Sequence, residues 1–591
     1  MAVGAQLLAI VALILAPPVL GQEPSGRADA GAQPVRLLDE VPNYAELFAN
    51  QVRGGVPADV TAAEQSNTHY GRLLETGSAQ ELSLADAIAL ALQNNTDLKI
   101  QRLAPVAAAN QVRRARAVFD TTVFGSVTRD RTTTPTGTIS PFTTTSPTLF
   151  TQDFNANGGA RKVLISGGQL SLAWQNQRRV TNPSAITELV PQYMTMLGLS
   201  LNQPLLRDFG WRYALVFVEV AQTTEQEAYF QYQAAIASIV ANVEAAYWAL
   251  VLALEEVQVQ EQGLTLAQEV LRENESKVKV GTLPRTAVLQ AESQVARRQA
   301  LLIRASNFAM VARDNLRAII NYPAPSGGPL LMLEPGDKPT VVRYEIDYER
   351  SLRTALEQRP ELVAARLEIH SRGLQRTAAE NQLLPRLNFV GGVGVNGLSG
   401  SAAPPVLFED PTTGTSQVIA AANPGVVGGY SRALELLHDG RFYNYTAGAM
   451  VEIPLANAQA KADYTSANIN LEQAKLSLQR LEEGVSLEIK QAVSNLSSDL
   501  KSIDATRLAR ELAEENLRNQ QARYDVGLVT TKDLLDYQDQ LTQARGAEVN
   551  SLTRYNSDLA EMRRVEGSLL TSRNIIIERA TPEGAPWWAR F

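Results

Sequence analysis

YDVGLVTTKDLLDYQ, residues 524–538, is the stretch from which the fold is read. It joins two helices through a sharp bend. Gly527 suits a helix end that needs a positive φ. Thr530 followed three residues later by Asp533 is the spacing of a capping box, and so opens the next helix. Upstream, Leu471, Ala474, Leu478, Leu481, Val485, Ala492 and Leu496 recur in a three-then-four rhythm that keeps one seam toward a partner helix. At about 1.5 Å per residue the helix entering this bend reaches on the order of 100 Å. Such a rod suits a duct bridging a distance better than it suits an enzyme.

A second bend of the same kind, VGTLPR at 280–285, sits between a long helix starting near Trp211 and a return helix ending near Ile320. In that long helix Ala221, Ala228, Ala235, Asn242 and Ala249 fall every seventh residue, a small stripe for close helix approach. ALQNNTDL at 91–98 is echoed by ALEQRPEL at 355–362. The chain therefore reads as two structural repeats, 81–321 and 344–571, joined by a connection at 322–343. Each holds short helices, strands, a long helix, a Val-Gly tip and a return helix.

The strands lie in 119–204 and 386–454. Leu197, Leu199 and Leu201 alternate with Gly198, Ser200 and Asn202, and Pro204 ends that strand. Tyr443, Tyr445, Ala447, Ala449, Val451 and Ile453 alternate with Asn444, Thr446, Gly448, Met450 and Glu452, and Pro454 ends it. One apolar and one small or polar face fit a wall between lipid and water. This counts two clear strands per repeat, with 132–153 and 398–440 as loops. Residues 161–177, around Ser166-Gly167-Gly168, form an extra hairpin of unassigned place.

The 591-residue chain has no cysteine, and its net charge of −8 argues against nucleic acid as a partner. Leu7–Ala16 is the apolar centre of a secretory signal over 1–21, although no Lys or Arg precedes it; a short buried helix is the other reading. No later stretch reads as the ~18 apolar residues of a membrane helix, so a membrane form must be a β-barrel. Residues 22–80 read as a linker or arm, and 572–591 as a tail ending in Trp587-Trp588-Ala589-Arg590-Phe591.

Some matches carry no chemistry. GGVGVNG at 391–397 contains a GxGxxG, but a dinucleotide site needs a helix after it and 398–405 cannot open one. His69, His370 and His438 lack metal-ligand spacing. No catalytic grouping, cofactor site or metal site is read.

Taken in order, LSLADAIALALQNN at 82–95, QPLL at 203–206, VGTLPRTAVLQAE at 280–292, QRPELVAAR at 358–366, VEIPL at 451–455 and VGLVTTKDLLDYQ at 526–538 resemble the TolC-type outer-membrane factors. The resemblance implies a mainly α fold with β: a long α-helical coiled-coil barrel crossing the periplasm and a transmembrane β-barrel in the outer membrane. It implies a homotrimer with twelve strands and twelve helices, serving as the passive exit duct of a tripartite efflux or type I secretion system. It also implies that both tips, Val280, Gly281, Thr282 and Leu283 with Val526, Gly527, Leu528 and Val529, meet a periplasmic adaptor and through it an inner-membrane pump. Asp533 and Asp536 occupy positions that ring the family's constriction, where six carboxylates from three copies would gate the pore electrostatically and favour cations; the other reading is that both complement a helix N-terminus, which stands level with the gate for Asp533 and behind it for Asp536. The family's latch pairs a tyrosine before the second tip with an acid after the first. Tyr524 matches the tyrosine, but Ala287 stands at the acid's position and Val529 at that of the latch's basic residue. The rival from another class is a periplasmic coiled-coil structural or adhesion protein.

Overall fold

The computed structural model describes residues 79–135, 148–181, 189–321, 332–404, 406–409, 416–420 and 422–577. The signal at 1–21, all but the last two residues of the arm, His69 and the aromatic C-terminus lie outside them.

Helices dominate. Short α1 (Leu84–Asn94) and α2 (Thr96–Arg116) precede a strand block, and the 69-residue α3 (Trp211–Lys279) follows it. α4 (Arg285–Ile320) returns. The second part has α5 (Tyr348–Gln358), α6 (Pro360–Asn381), the 68-residue α8 (Ala458–Asp525), the return helix α9 (Thr531–Glu566) and the short α10 (Leu569–Ser572). The two return helices are 36 residues each. Ser83 caps α1 by accepting from the backbone N–H of Asp86, as its spacing foretells.

These helices form one layer with a definite order. Near the bends it runs α4, α3, α9, α8; nearer the strands it runs α2, α3, α6, α8. The change of partner comes from end-to-end stacking. The Asn321 amide that closes α4 donates to the Asn94 carbonyl (3.1 Å), and the Asn95 amide donates to that of Ile319 (2.8 Å). Gly567, closing α9, lies against Arg359, which opens α6. α4 with α2, and α9 with α6, thus act as two interrupted rods beside the continuous α3 and α8.

The α8 seam is buried where the rhythm placed it: Ala474, Val485, Ala492 and Leu496, with Ile489 added. The small stripe of α3 is not its seam. Asn242 and Ala249 are exposed, while Ile236, Val240, Val243, Tyr247 and Leu250 pack into the largest core cluster. Large apolar residues at three-four spacing bury more surface than alanines, so they set the phase. α3 also holds an 18-residue window of mean hydropathy 1.7, half buried in this layer, which the sequence reading passed over.

The strands form one six-stranded antiparallel sheet in the order β10-β7-β5-β4-β3-β2. Its members are β2 (Thr122–Pro135), β3 (Thr148–Val163), β4 (Gln169–Thr181), β5 (Leu189–Pro204), β7 (Arg386–Ala402) and β10 (Tyr443–Glu452). This corrects the strand reading. The hairpin around Gly167 is part of the sheet, the strands run well into the Thr/Pro/Ser stretch at 132–153, and β5 takes in Pro191. The segment 398–440 is not one loop: β7 runs to Ala402, and the hairpin β8 (Val406–Glu409) and β9 (Ser416–Ala420) and helix α7 (Tyr430–His438) follow. Strand β6 (Met332–Pro335) lies inside the 322–343 connection and pairs in parallel with β1 (Ala79–Leu82). The GxGxxG residues sit within β7, which continues as strand to Ala402 instead of opening a helix.

Register makes the two faces plain. One row across all six strands reads Val123, Ala160, Leu172, Leu199, Val393, Tyr445; the next row on the other face reads Thr122, Arg161, Ser171, Ser200, Gly392, Thr446.

Candidate functional site: the paired helix tips

Both long helices end in the same way. After α3, the Gly281 N–H donates to the Val278 carbonyl (3.0 Å) and that of Thr282 to Lys277 (2.9 Å). After α8, Gly527 donates to Tyr524 (3.0 Å) and Leu528 to Arg523 (2.9 Å). Each glycine has positive φ, +78° and +76°, which lets a Schellman bend turn the chain back within a few residues. α9 then opens with the capping box: Thr530 Oγ1 accepts from the Asp533 N–H (3.2 Å) and the Asp533 carboxylate accepts from the Thr530 N–H (3.0 Å). α4 starts at Pro284 without a side-chain cap.

The two bends lie side by side at one end of the molecule. Tyr524, at the end of α8, is buried and donates its hydroxyl to Asn274 Oδ1 on α3. Asn274 has no exposed surface. Its amide donates to the Ala287 carbonyl on α4 (3.2 Å) and to Thr531 Oγ1 on α9 (3.3 Å). One asparagine therefore ties all four helices together through neutral groups. The Lys277 ammonium stands 4.2 Å from the centre of the Tyr524 ring and pairs with Glu273 at 2.6 Å. Val270, Leu534 and Leu535 complete the apolar packing.

A second, charged tie lies farther from the bends. Arg298 on α4 is buried, pairs with Asp539 on α9 and donates to Thr542 (3.1 Å). Gln294 also donates to Asp539 (2.6 Å).

The residues singled out from the sequence divide accordingly. Val280, Val526 and Leu528 are 74%, 70% and 69% exposed, an apolar tip surface; Gly281, Thr282 and Gly527 are exposed beside them, and Leu283 and Val529 are half-buried. Asp533 and Asp536 are exposed on the first turns of α9. The Thr530 hydroxyl and N–H hold the Asp533 carboxyl below its ordinary pKa. Asp536 makes no hydrogen bond or ion pair among the described residues. Tyr524 faces no open space; it is a bond between helix hairpins. Sequence reading missed Asn274, Arg298 and Asp539. A buried position among polar neighbours such as Arg272, Glu273 and Glu275 has no local signal, since only the helix phase set by packing distinguishes it.

The family described as "Outer membrane efflux protein" matches residues 167–322 and 351–568. No curated protein sequence matches the chain. Among solved structures, the Campylobacter jejuni CmeC outer membrane channel has a TM-score of 0.57 and 16% identity, with 93% of this chain and 94% of that one covered. The outer membrane protein VceC from Vibrio cholerae has a TM-score of 0.56, 18% identity and coverage of 82% and 96%. The open state of the Neisseria gonorrhoeae MtrE outer membrane channel has a TM-score of 0.55, 18% identity and coverage of 82% and 89%. At these identities the structural likeness carries the fold.

Proposed function

The chain belongs to the outer membrane efflux protein family, and from that premise we propose that three copies enclose the passive exit duct of a tripartite efflux or type I secretion system. The duct stands in the bacterial outer membrane and extends into the periplasm. The observation that carries the trimer is that the chain is open at both edges. α4 with α2 forms one edge of the helix layer and exposes Ile303, Phe308, Val311 and Ile100, each 48–65%. α8 forms the other and exposes Ile469, Leu476, Leu487 and Leu508, each 52–58%. Both edge strands of the sheet, β2 and β10, are exposed along nearly their whole length. Unpaired strands and apolar stripes of this size call for covering. Four helices per chain then supply a twelve-helix cylinder, and the internal repeat accounts for the matching lengths of its two hairpins.

In this reading the Leu172 face of the sheet meets outer-membrane lipid and the Ser171 face lines water. The tips point away from the membrane and offer Val280, Val526 and Leu528 to a periplasmic adaptor, which couples the duct to an inner-membrane pump. Opening separates the α8–α9 hairpin from α3–α4, so the Asn274–Tyr524–Thr531 bonds are the latch and Arg298–Asp539 a second restraint. Asp536 from three copies gives the narrow end a cation preference. No catalytic step is required: the work is done by the pump, and lumen groups such as Asn444 and Thr446 filter by size and charge.

The test is direct. Protein extracted in detergent runs as a heat-sensitive trimer and conducts ions as single channels in planar bilayers. A monomer that stays in solution without detergent and does not conduct overturns the proposal, in favour of the periplasmic coiled-coil alternative.

A further inference from the structure

We infer that the transmembrane wall is built from eighteen strands, six from each copy, rather than the twelve that the family resemblance implies. This rests on the trimeric reading above. The first observation is the sheet itself. β3 and β4 are hydrogen-bonded into it along their whole length, with 14 register pairs between β2 and β3 and 13 between β3 and β4. Their side chains obey the same alternation as the other four strands, so the hairpin belongs to the wall by chemistry as well as by pairing.

The second observation is connectivity. Four strands run directly to or from the helix layer: α2 leads to β2, β5 to α3, α6 to β7 and β10 to α8. These four keep the helix order α2, α3, α6, α8. β3 and β4 are joined to each other by a tight turn in which Gly167 has φ +85°, and among the described residues neither is followed directly by a helix. The hairpin therefore widens the sheet without widening the helix layer.

The third is width. Four helices packed about 9–10 Å apart span about 38 Å. Six strands about 4.8 Å apart and tilted about 40° also span about 38 Å, whereas four span about 25 Å. With the hairpin, each chain's strand layer matches the helix layer on which it stands, and the duct enters the membrane without tapering. Closure is also permitted: β2 and β10 run antiparallel to each other, because the sheet alternates through an even number of strands. Every junction between copies is then an antiparallel pair, and the exposed Val123 and Tyr445 edges continue one apolar belt around the barrel. A barrel of eighteen strands has a radius of about 18 Å, against about 12 Å for twelve, and holds an open aqueous lumen.

The absence of cysteine makes the measurement simple, since one introduced thiol labels one site per copy. Trimers are first verified by mass. Thr446→Cys on β10 is then spin-labelled, and the distance between copies is read by pulsed electron resonance. On a three-fold axis the backbone-to-backbone spacing is about 31 Å for eighteen strands and about 21 Å for twelve. A second series labels 170 to 173 on β4 singly. Alternation between oxygen access at Leu170 and Leu172 and aqueous quencher access at Ser171 and Ala173 places the hairpin in the wall. Verified trimers with the shorter spacing, or with all four β4 labels in water, overturn the inference and leave the trimeric duct standing. Absence of trimers overturns the duct itself.

Discussion

Replacing Tyr524 with phenylalanine removes one oxygen and nothing else from the contact between the two hairpins. Asn274 then keeps its amide bonds to Ala287 and Thr531, but its carbonyl oxygen loses the hydroxyl in a site with no exposed surface. An acceptor left unpaired in such a place costs about 1–3 kcal/mol. If opening parts the hairpins, that cost falls on the closed state alone, because water reaches Asn274 in the open one. The open-to-closed ratio therefore rises by about 5- to 150-fold. Single-channel recording in planar bilayers reads this as increased open time at low voltage. The hydrogen bonds at Asn274 join neutral groups, so raising salt from 0.1 M to 1 M loosens this tie less than it would an exposed ionic latch. If Tyr524→Phe lowers the melting temperature of the trimer while open time is unchanged, the contact is structural and the latch reasoning fails.

Four more outcomes are expected. Asp539→Asn leaves the buried Arg298 guanidinium without its carboxylate and costs about 2–3 kcal/mol, seen as a lower melting temperature. Asp499 is pushed up to about 7 by burial and by the neighbouring Asp558 carboxylate, against a partial offset from Arg554. A folded pKa above the ordinary 3.8 means that folded protein holds the proton more tightly, so stability falls as pH rises from about 4 through 7. Asp499→Asn flattens that part of the melting-temperature profile; an unchanged slope rejects the assignment. Leu528→Asp with Val280→Asp keeps the trimer and its conductance but abolishes adaptor capture in detergent, measured by co-purification. Asp536→Asn shifts the reversal potential in a potassium chloride gradient toward that of a non-selective pore; an unchanged potential rejects its place at the narrow end.

What the amino-acid order determined by itself was the bends, the helix caps, the α8 seam and the faces of two strands. Gly281 and Gly527 mark the bends because only that residue takes positive φ freely. The Thr530–Asp533 spacing caps α9, and the α8 seam follows from helical period. The faces of β5 and β10 follow from alternation. These are properties of a few neighbouring residues, so they can be read without knowing what the chain packs against. Strand number was not of that kind. β3 carries only Asn, Ala and Gly over residues 155–160, followed by Arg161 and Lys162, and its membership of the sheet depends on β2 and β4 lying alongside. The phase of α3 was likewise decided by tertiary packing: Ala249 is exposed and Ala221, Ala228 and Ala235 are only half-buried, because Ile236, Val243 and Tyr247 bury more apolar surface. Asn274 became the centre of a four-helix tie only when residues 13 and 250 positions away were brought against it. A hydrogen bond between distant segments leaves no trace in either segment alone, which is why the bends were legible in the sequence and the tie between them was not.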